Sequence, residues 1–483
     1  MRTRGKSYHS RLARRVISVA PMPPEKSAYA LARYSRSADS IRQSLEWVKT
    51  HNSGQFLESF YFQYGHQSIA DLGHTVLCFE GISELAASEV EDEVLWDGQA
   101  RSSRYQDFGS SGFITPGELT GESVAQYQAA GTALLSAYRD VHGLVDTCLR
   151  EKLPRPETMK PDAYGRNIAA RAFDVARYLL FWGVPTGVGQ VTSIRTLEKQ
   201  IKRLRISAYA ELRELGDEIA QACAEPPECL WDEGQTEPLA PTLARHAEPD
   251  EHPRQANADL TQWAVQNFHA EAGPERRVDL VKSDDPLSEI AATLLYPVTE
   301  IPFRAIYETV RGWSRQRRSE VLDVALQSRG RRDDLLREFR GGQYCFDMLI
   351  DIGAYRDMHR HRRCHQYRQG YNGLHGYETP ALVVDAGAEA PWHAAMAGAL
   401  QTMQALPQPA RQYLLPFGAR SRFLFKMDFA EAEYISRVRS GVKGHFSYRE
   451  IAWEMKQRIE EVEPELGRLI QATPPWVEDP LKR

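Results

Sequence analysis

Arg360, His361 and Arg362 stand side by side, directly after Tyr355-Arg356-Asp357-Met358-His359. Helical spacing would set Arg356 and Arg360 one turn apart on one face. Such a cluster can neutralise a nucleotide phosphate or stabilise a reduced, anionic flavin ring. His359, His361 and His365 raise a metal reading as well, His361 and His365 having i, i+4 spacing. Two arginine neighbours repel a cation, however, and no cysteine or carboxylate cluster completes a zinc set, so no metal is expected. Far upstream, Ser102-Ser103-Arg104-Tyr105 gathers hydroxyls, a guanidinium and a phenol within four residues. That set can hold a phosphate or a ribose, and arginine offers the bidentate geometry that phosphate favours. In Tyr64-Gly65-His66-Gln67-Ser68, Gly65 breaks the preceding helix. His66 and Ser68 then fall at a helix start, where free amides and short polar side chains bind an anion. The plain alternatives are a helix cap for His66 and Ser68, and a solvated or salt-bridged helix face for any single arginine between Arg311 and Arg368. Cys364 sits among these arginines, which would lower its pKa; an inert cysteine is the simpler reading.

These groups lie in different halves of the chain, and the halves repeat. Val16-Ile17-Ser18-Val19 precedes Ala30-Leu31-Ala32-Arg33-Tyr34; Val278-Asp279-Leu280-Val281 precedes Ala291-Ala292-Thr293-Leu294-Leu295-Tyr296 at the same spacing. Each pair reads as a short strand followed by an alanine-rich helix. Alternating apolar segments follow at residues 75–81 and 343–349. Each half closes with a helical stretch containing Tyr-x-Glu, at Tyr209-Ala210-Glu211 and Tyr448-Arg449-Glu450. Four correspondences in one order imply a duplication; the alternative is two unrelated α+β domains. Residues 224–272 are rich in Pro, Glu, Asp and Gln, with no sustained apolar period apart from a short helix around residues 260–268, and read as a linker. The expected layout is a first domain at residues 1–225, an acidic, Pro-rich linker at 226–274, and a second domain at 275–483. Each domain has roughly 210 to 225 residues, enough for a core.

Bulk charge suggests no partner. The 483 residues carry 60 Lys and Arg against 65 Asp and Glu, a net charge of −5, so nucleic-acid binding is not expected. No apolar run is long enough to span a bilayer, and no signal-peptide core follows Met1-Arg2-Thr3-Arg4. The six cysteines are scattered with no Cys-x-x-Cys pair. They read as reduced thiols in a cytoplasmic protein.

Taken together, the motifs resemble those of the flavin-dependent thymidylate synthases. Members carry Gly-His-x-Ser near the end of an early helix, then Arg-His-Arg-x-x-Ser-x-Asn-Glu-x-Ser-x-Arg-Tyr, and later Asn-x-Arg before a helix. Here Gly65-His66-Gln67-Ser68 matches the early segment, Ser102-x-Arg104-Tyr105 the end of the long signature, and Ser193-x-Arg195 the later element with Ser for Asn. Asp92-Glu93-Val94 stands where the first half should read Arg-His-Arg. In the second half Arg360-His361-Arg362 matches the beginning of the signature. Its remainder is replaced by His365, Tyr367, Arg368 and Gly370, and the later element is Asp428-x-Ala430. Each half thus keeps a different fragment.

The resemblance implies an α+β (α/β) chain of two tandem copies, with helices packed on a mixed sheet. It implies FAD as cofactor, NADPH and methylenetetrahydrofolate as co-substrates, and methylation of a pyrimidine nucleotide such as dUMP. Arg360, His361 and Arg362 would be the catalytic groups, positioning the flavin together with Arg356, His66 and Ser68. Ser102, Arg104, Tyr105 and Arg195 would bind the nucleotide. Family members are homotetramers with sites at subunit interfaces, so the tandem chain would form a homodimer mimicking that tetramer. A further family arginine on the last helix falls at Gln221 and Glu460, which puts dUMP in doubt. A different flavin-dependent reaction on nucleotides, or a non-catalytic nucleotide-binding or assembly paralogue, remain alternatives.

Overall fold

The computed structural model describes residues 17, 19, 21–37, 40–63, 66–104, 107–229, 234–270, 275–282, 285–328, 336–339, 344–467, 470–479 and 481. The first copy opens with helices α1 (Pro24–Tyr34), α2 (Ile41–Thr50) and α3 (Ser53–Leu57). Strand β1 (His74–Ser83), α4 (Glu84–Glu91) and β2 (Trp96–Ala100) follow. Then come the long α5 (Glu122–Lys152), α6 (Pro161–Ala176), β3 (Pro185–Ser193), α7 (Ile194–Arg205) and α8 (Ala210–Ala224). Two helices, α9 (Pro241–Arg245) and α10 (Glu251–Asn267), bridge to the second copy. That copy runs β4 (Val278–Lys282), α11 (Pro286–Leu295), α12 (Phe303–Arg311), α13 (Arg315–Leu326), β5 (Tyr344–Asp351), α14 (Ile352–Met358) and β6 (His365–Arg368). It ends with α15 (Ala381–Asp385), α16 (Glu389–Ala405), β7 (Arg420–Met427), α17 (Phe429–Arg439) and α18 (Phe446–Val462).

The duplication is visible in the strand order. One sheet is β1-β3-β2 and the other β4-β5-β7-β6, so β1, β3 and β2 correspond to β5, β7 and β6. All described ladders are antiparallel, not mixed. The reason is topological: β1 and β2 run the same way, but β3 returns between them, so the parallel strands never meet. The strand expected at residues 16–19 lies outside the described residues at Val16 and Ser18, while Ile17 and Val19 fall in no strand.

Four strand-to-helix junctions are turned by one device, a short polar side chain accepting from a first-turn amide. Ser83 accepts from Ala86 at 2.9 Å, Asp351 from Ala354 at 2.7 Å, Ser193 from Thr196 at 3.2 Å and Asp428 from Glu431 at 2.9 Å. One interval in the sequence separates Ser83 from Asp351, Asp92 from Arg360 and Asp97 from His365. The β1-to-β2 segment is therefore superposable on β5-to-β6 without insertion.

One apolar core runs through both copies. Chain segments cross-bond there as in a sheet: Phe417 N–H donates to Leu180 O at 2.7 Å and Gly183 N–H to Tyr413 O at 2.7 Å, beside buried Trp182 and Phe181. The long α5 packs on α6 and, across the copies, on α16. The segment expected to be a linker with one short helix around residues 260–268 holds two helices, α9 and the longer α10. Leu260, Ala264 and Phe268 recur at helical spacing and, with α11–α13, form a second apolar cluster. Glu25 also holds the start of α9, accepting from Thr242 N–H at 2.7 Å.

Candidate active site between the two copies

α14 carries the arginine cluster to the seam. Its N-cap Asp351 fixes where the helix begins, and the helix is spent at Met358, so Arg360-His361-Arg362 ride on the following turn. They line a cleft of about 1080 Å³. The second copy contributes these residues, Arg363, and Glu431, Tyr434, Arg437 and Arg439 of α17. The first copy contributes Asp71, His74, Trp96, Asp97 and Val191.

His361 is buried and pinned from both sides. Arg439 Nε donates to its Nε2 at 2.7 Å, so the ring proton belongs on Nδ1, which lies 3.4 Å from a Glu431 oxygen. Burial, joined by Arg439 and Arg362, lowers its pKa against the opposing pull of Glu431. The neutral imidazole therefore fastens α17 to the turn. Arg362 donates to Asp97 at 2.7 Å and lies over the Trp96 ring, 5.0 Å from its centroid. Arg360 makes no hydrogen bond among the described residues and is half-buried. It acts through space on the carboxylates of Glu84 and Asp357, but its N–H donors stay open, and such a guanidinium beside a large cleft is available to an anion.

The other expected site residues fall into separate groups. Arg356 bonds Ser103 Oγ at 3.1 Å and Glu84 at 2.6 Å, stacking over Phe417 behind the cleft. Arg104 is buried and engaged: it forms two bonds to Asp174, at 2.7 and 3.1 Å, one to Tyr448 Oη at 3.0 Å and one to Lys443 O at 3.3 Å. Ser102 Oγ accepts from the Arg104 amide at 3.3 Å. Tyr105 and Gly65 lie outside the described residues. Arg195 donates to Asp71 at 2.9 Å and to Gln67 at 2.9 Å, which joins the early segment to the later element. His66 and Ser68 are exposed on that turn, a 3₁₀ helix over Gln67–Leu72, and His66 makes no side-chain cap. The cleft thus collects Arg360, His361 and Arg362. Through Asp71 it borders Arg195, and behind it lie the buried Arg104 and the half-buried Ser102 and Arg356.

The α17 residues Glu431, Tyr434, Arg437 and Arg439 were not foreseen. The only sequence signal was position: they follow Ala430, where the later arginine should stand. Cys364 is buried and donates to His361 O at 2.9 Å. Burial pushes its thiol up to about 12, overriding the lowering expected from nearby arginines. Among the described residues Gln221 donates to Glu225 at the end of α8 and Glu460 accepts from Lys456 on α18, and neither lines the cleft.

A tandem α+β chain with an arginine-rich cleft between its copies defines the class, and comparison with known proteins gives the family. The model for the thymidylate synthase complementing protein family matches residues 15–226 and again residues 280–465. The chain belongs to this family, the flavin-dependent thymidylate synthases. It is similar to a UPF0159 protein of Chlamydia muridarum, 28% identical over 83% of this chain and 77% of the relative. A UPF0159 protein of Chlamydia pneumoniae is 25% identical over 93% and 90%. One of Thermoplasma acidophilum is 23% identical over 91% and 94%. These relatives are matched across both copies, so the double layout extends beyond this chain.

Proposed function

We propose that the chain is a flavin-dependent, thymidylate synthase-like enzyme that methylates a pyrimidine nucleotide such as dUMP, with a site built from both copies. The observation that carries this reading is the Arg360 guanidinium, which makes no hydrogen bond among the described residues, at a cleft large enough for a dinucleotide cofactor. The residues present fit FAD: Arg360, with Arg362 and Arg363, would take its phosphates, while Trp96, Tyr434 and Val191 offer flat and apolar walls. FAD supplies hydride chemistry when bound. The chain's own contribution is orientation. His361 holds α17 against the turn, which fixes the width between Tyr434 and the Trp96 edge, and displacement of a reacting group by an ångström is costly. NADPH and methylenetetrahydrofolate are the proposed co-substrates, the cytoplasm the proposed location, and a homodimer the proposed assembly. No described helix is long and apolar enough to cross a membrane. The exposed apolar side chains Leu72, Val76, Leu95 and Val191 near the cleft support a second copy of the chain there.

One observation favours a second reading, a nucleotide-binding or assembly paralogue without the full reaction. Arg104 and Arg195, the proposed phosphate holders, already bond carboxylates. The visible spectrum of the purified chain, with flavin release, separates the two. About one FAD per chain, lost in Arg360→Ala/Arg362→Ala, supports the enzyme and leads to tritium-release assays on dUMP with folate. Absence of flavin after incubation with FAD leaves the second reading standing.

A further inference from the structure

The two copies meet with opposite charge. The interval that relates Ser83 to Asp351 also relates Glu91, Asp92 and Glu93 to His359, Arg360 and His361. The first copy is thus acidic where the second is basic, and ion pairs cross the seam accordingly. Glu84 accepts from Arg356 at 2.6 Å, Asp97 from Arg362 at 2.7 Å, and Asp92 from Arg337 at 2.6 and 3.1 Å. Glu89 pairs with Arg368. Arg177 and Asp357, 3.0 Å apart, form a pair of the reverse sense.

The pseudo-symmetry calls for a twin of the arginine cleft, bounded by the turn after α4, by β6 and by α7. In that place Asp92, the counterpart of Arg360, is gripped by Arg337. Glu93, the counterpart of His361, accepts from Arg203 of α7 at 2.8 and 3.0 Å. Arg203 also reaches Glu89, 3.4 Å away, and ties this cluster to Arg368. The space left around Glu91, Asp92, Glu93, Arg337 and Gln366 is about 20 Å³, room for one water at most. On the open side the interval that leads to Arg337 leads back to Ile69, an apolar residue that offers Arg360 no carboxylate.

We propose that each chain has one ligand cleft, which takes a phosphate-bearing ligand at Arg360, and that its twin is sealed by the Asp92–Arg337, Glu93–Arg203 and Glu89–Arg368 pairs. The proposal rests on reading the open cleft as the flavin site. The same charges select the pairing, because two first copies would set acids on acids and two second copies arginines on arginines. The duplication has therefore made one surface into two complementary ones, and Asp92 and Glu93 act as a seal where the ancestral motif is lost.

Calorimetric titration of the full chain with FAD, and separately with inorganic pyrophosphate, tests this. One molecule of probe per chain is expected, with affinity falling about tenfold or more in Arg360→Ala/Arg362→Ala and unchanged in Arg337→Ala. The exchanged pair Asp92→Arg/Arg337→Asp serves where Arg337→Ala fails to fold. Two molecules per chain, or binding lost with Arg337 but kept without Arg360, would overturn it. If neither probe binds, the flavin reading fails, and the seal is judged by phenylglyoxal modification followed by mass spectrometry. Arg360 should react faster than Arg203 and Arg368; equal rates would refute the seal.

Discussion

Arg104 divides two accounts of the seam, and Arg104→Ala tells them apart. The sequence motif makes it a holder of nucleotide phosphate. Its geometry makes it an internal tie: side-chain exposure is 10% for Arg104 and 2% for Asp174, with two parallel bonds between them. Removing one member of such a pair strands a buried charge, at a cost of about 3–5 kcal/mol. Arg177, also buried, acts on Asp174 and compensates part of the stranded charge. The lower end, about 3 kcal/mol, is therefore expected, roughly two orders of magnitude in the folded-to-unfolded ratio. Urea unfolding should show a lower midpoint at unchanged slope. Arg104→Ala/Asp174→Asn, which strands no charge, should recover most of the loss. Arg104→Lys should fall between, since a single ammonium cannot reproduce the two-pronged contact. A midpoint equal to wild type, with nucleotide affinity reduced, would refute the internal tie and restore the phosphate role.

Asp351, the N-cap of α14, is raised by burial from 3.8 to about 6. The folded chain so holds a proton that the unfolded chain has released, and this contribution is fully present below pH 3.8 and lost as pH rises through 6. Asp351→Asn keeps a capping oxygen but no charge, and should gain up to ~3 kcal/mol at pH 7; a stability-against-pH slope between pH 4 and 6 equal to wild type would contradict this. Arg439→Ala removes both a donor and a cation from His361, whose pKa should rise, as followed by the imidazole carbon-bound proton shift in NMR; no rise would mean that Arg439 does not govern the ring. Cys78 is exposed whereas Cys223, Cys345 and Cys364 are buried. N-ethylmaleimide should label Cys78 first, and prompt labelling of Cys364 in the native chain would disprove its burial.

Local signals were legible in the sequence. The duplication showed in the spacing from Val16 to Tyr34 and from Val278 to Tyr296, and the alternating segments lie in β1 and, from Tyr344 on, in β5. The antiparallel order was not legible, because which strand returns between β1 and β2 depends on residues a hundred positions away. In the bridge only the short helix around residues 260–268 was legible, from the stripe of Leu260, Ala264 and Phe268; its extension back to Glu251 and the helix Pro241–Arg245 were not, because Glu, Gln and Pro dominate that composition. Of the site, the Arg-His-Arg turn stands out as a motif; the Arg195–Gln67 contact joins two motifs that the sequence leaves apart. The α17 lining does not, since Arg437 and Arg439 look like any basic last turn that favours a helix C-terminus.

The partition of charge explains why the fragments looked like losses. Judged half by half, Asp92-Glu93-Val94 is a ruined motif, and so is the run from His365 to Gly370. Across the seam the same residues are partners: Asp92 with Arg337, Glu89 with Arg368. Two identical copies would set each arginine against its own image, and the ligand alone would relieve that repulsion in two equal clefts. Replacing one set by acids removes the repulsion without ligand, and it consumes one cleft in doing so. Arg360 and His361 can then stay beside an open cleft because they need no longer stabilise the pairing. A fused chain permits this exchange because the two copies share one core through Phe181, Trp182, Tyr413 and Phe417. Each acid is thereby encoded in fixed register with the arginine it meets.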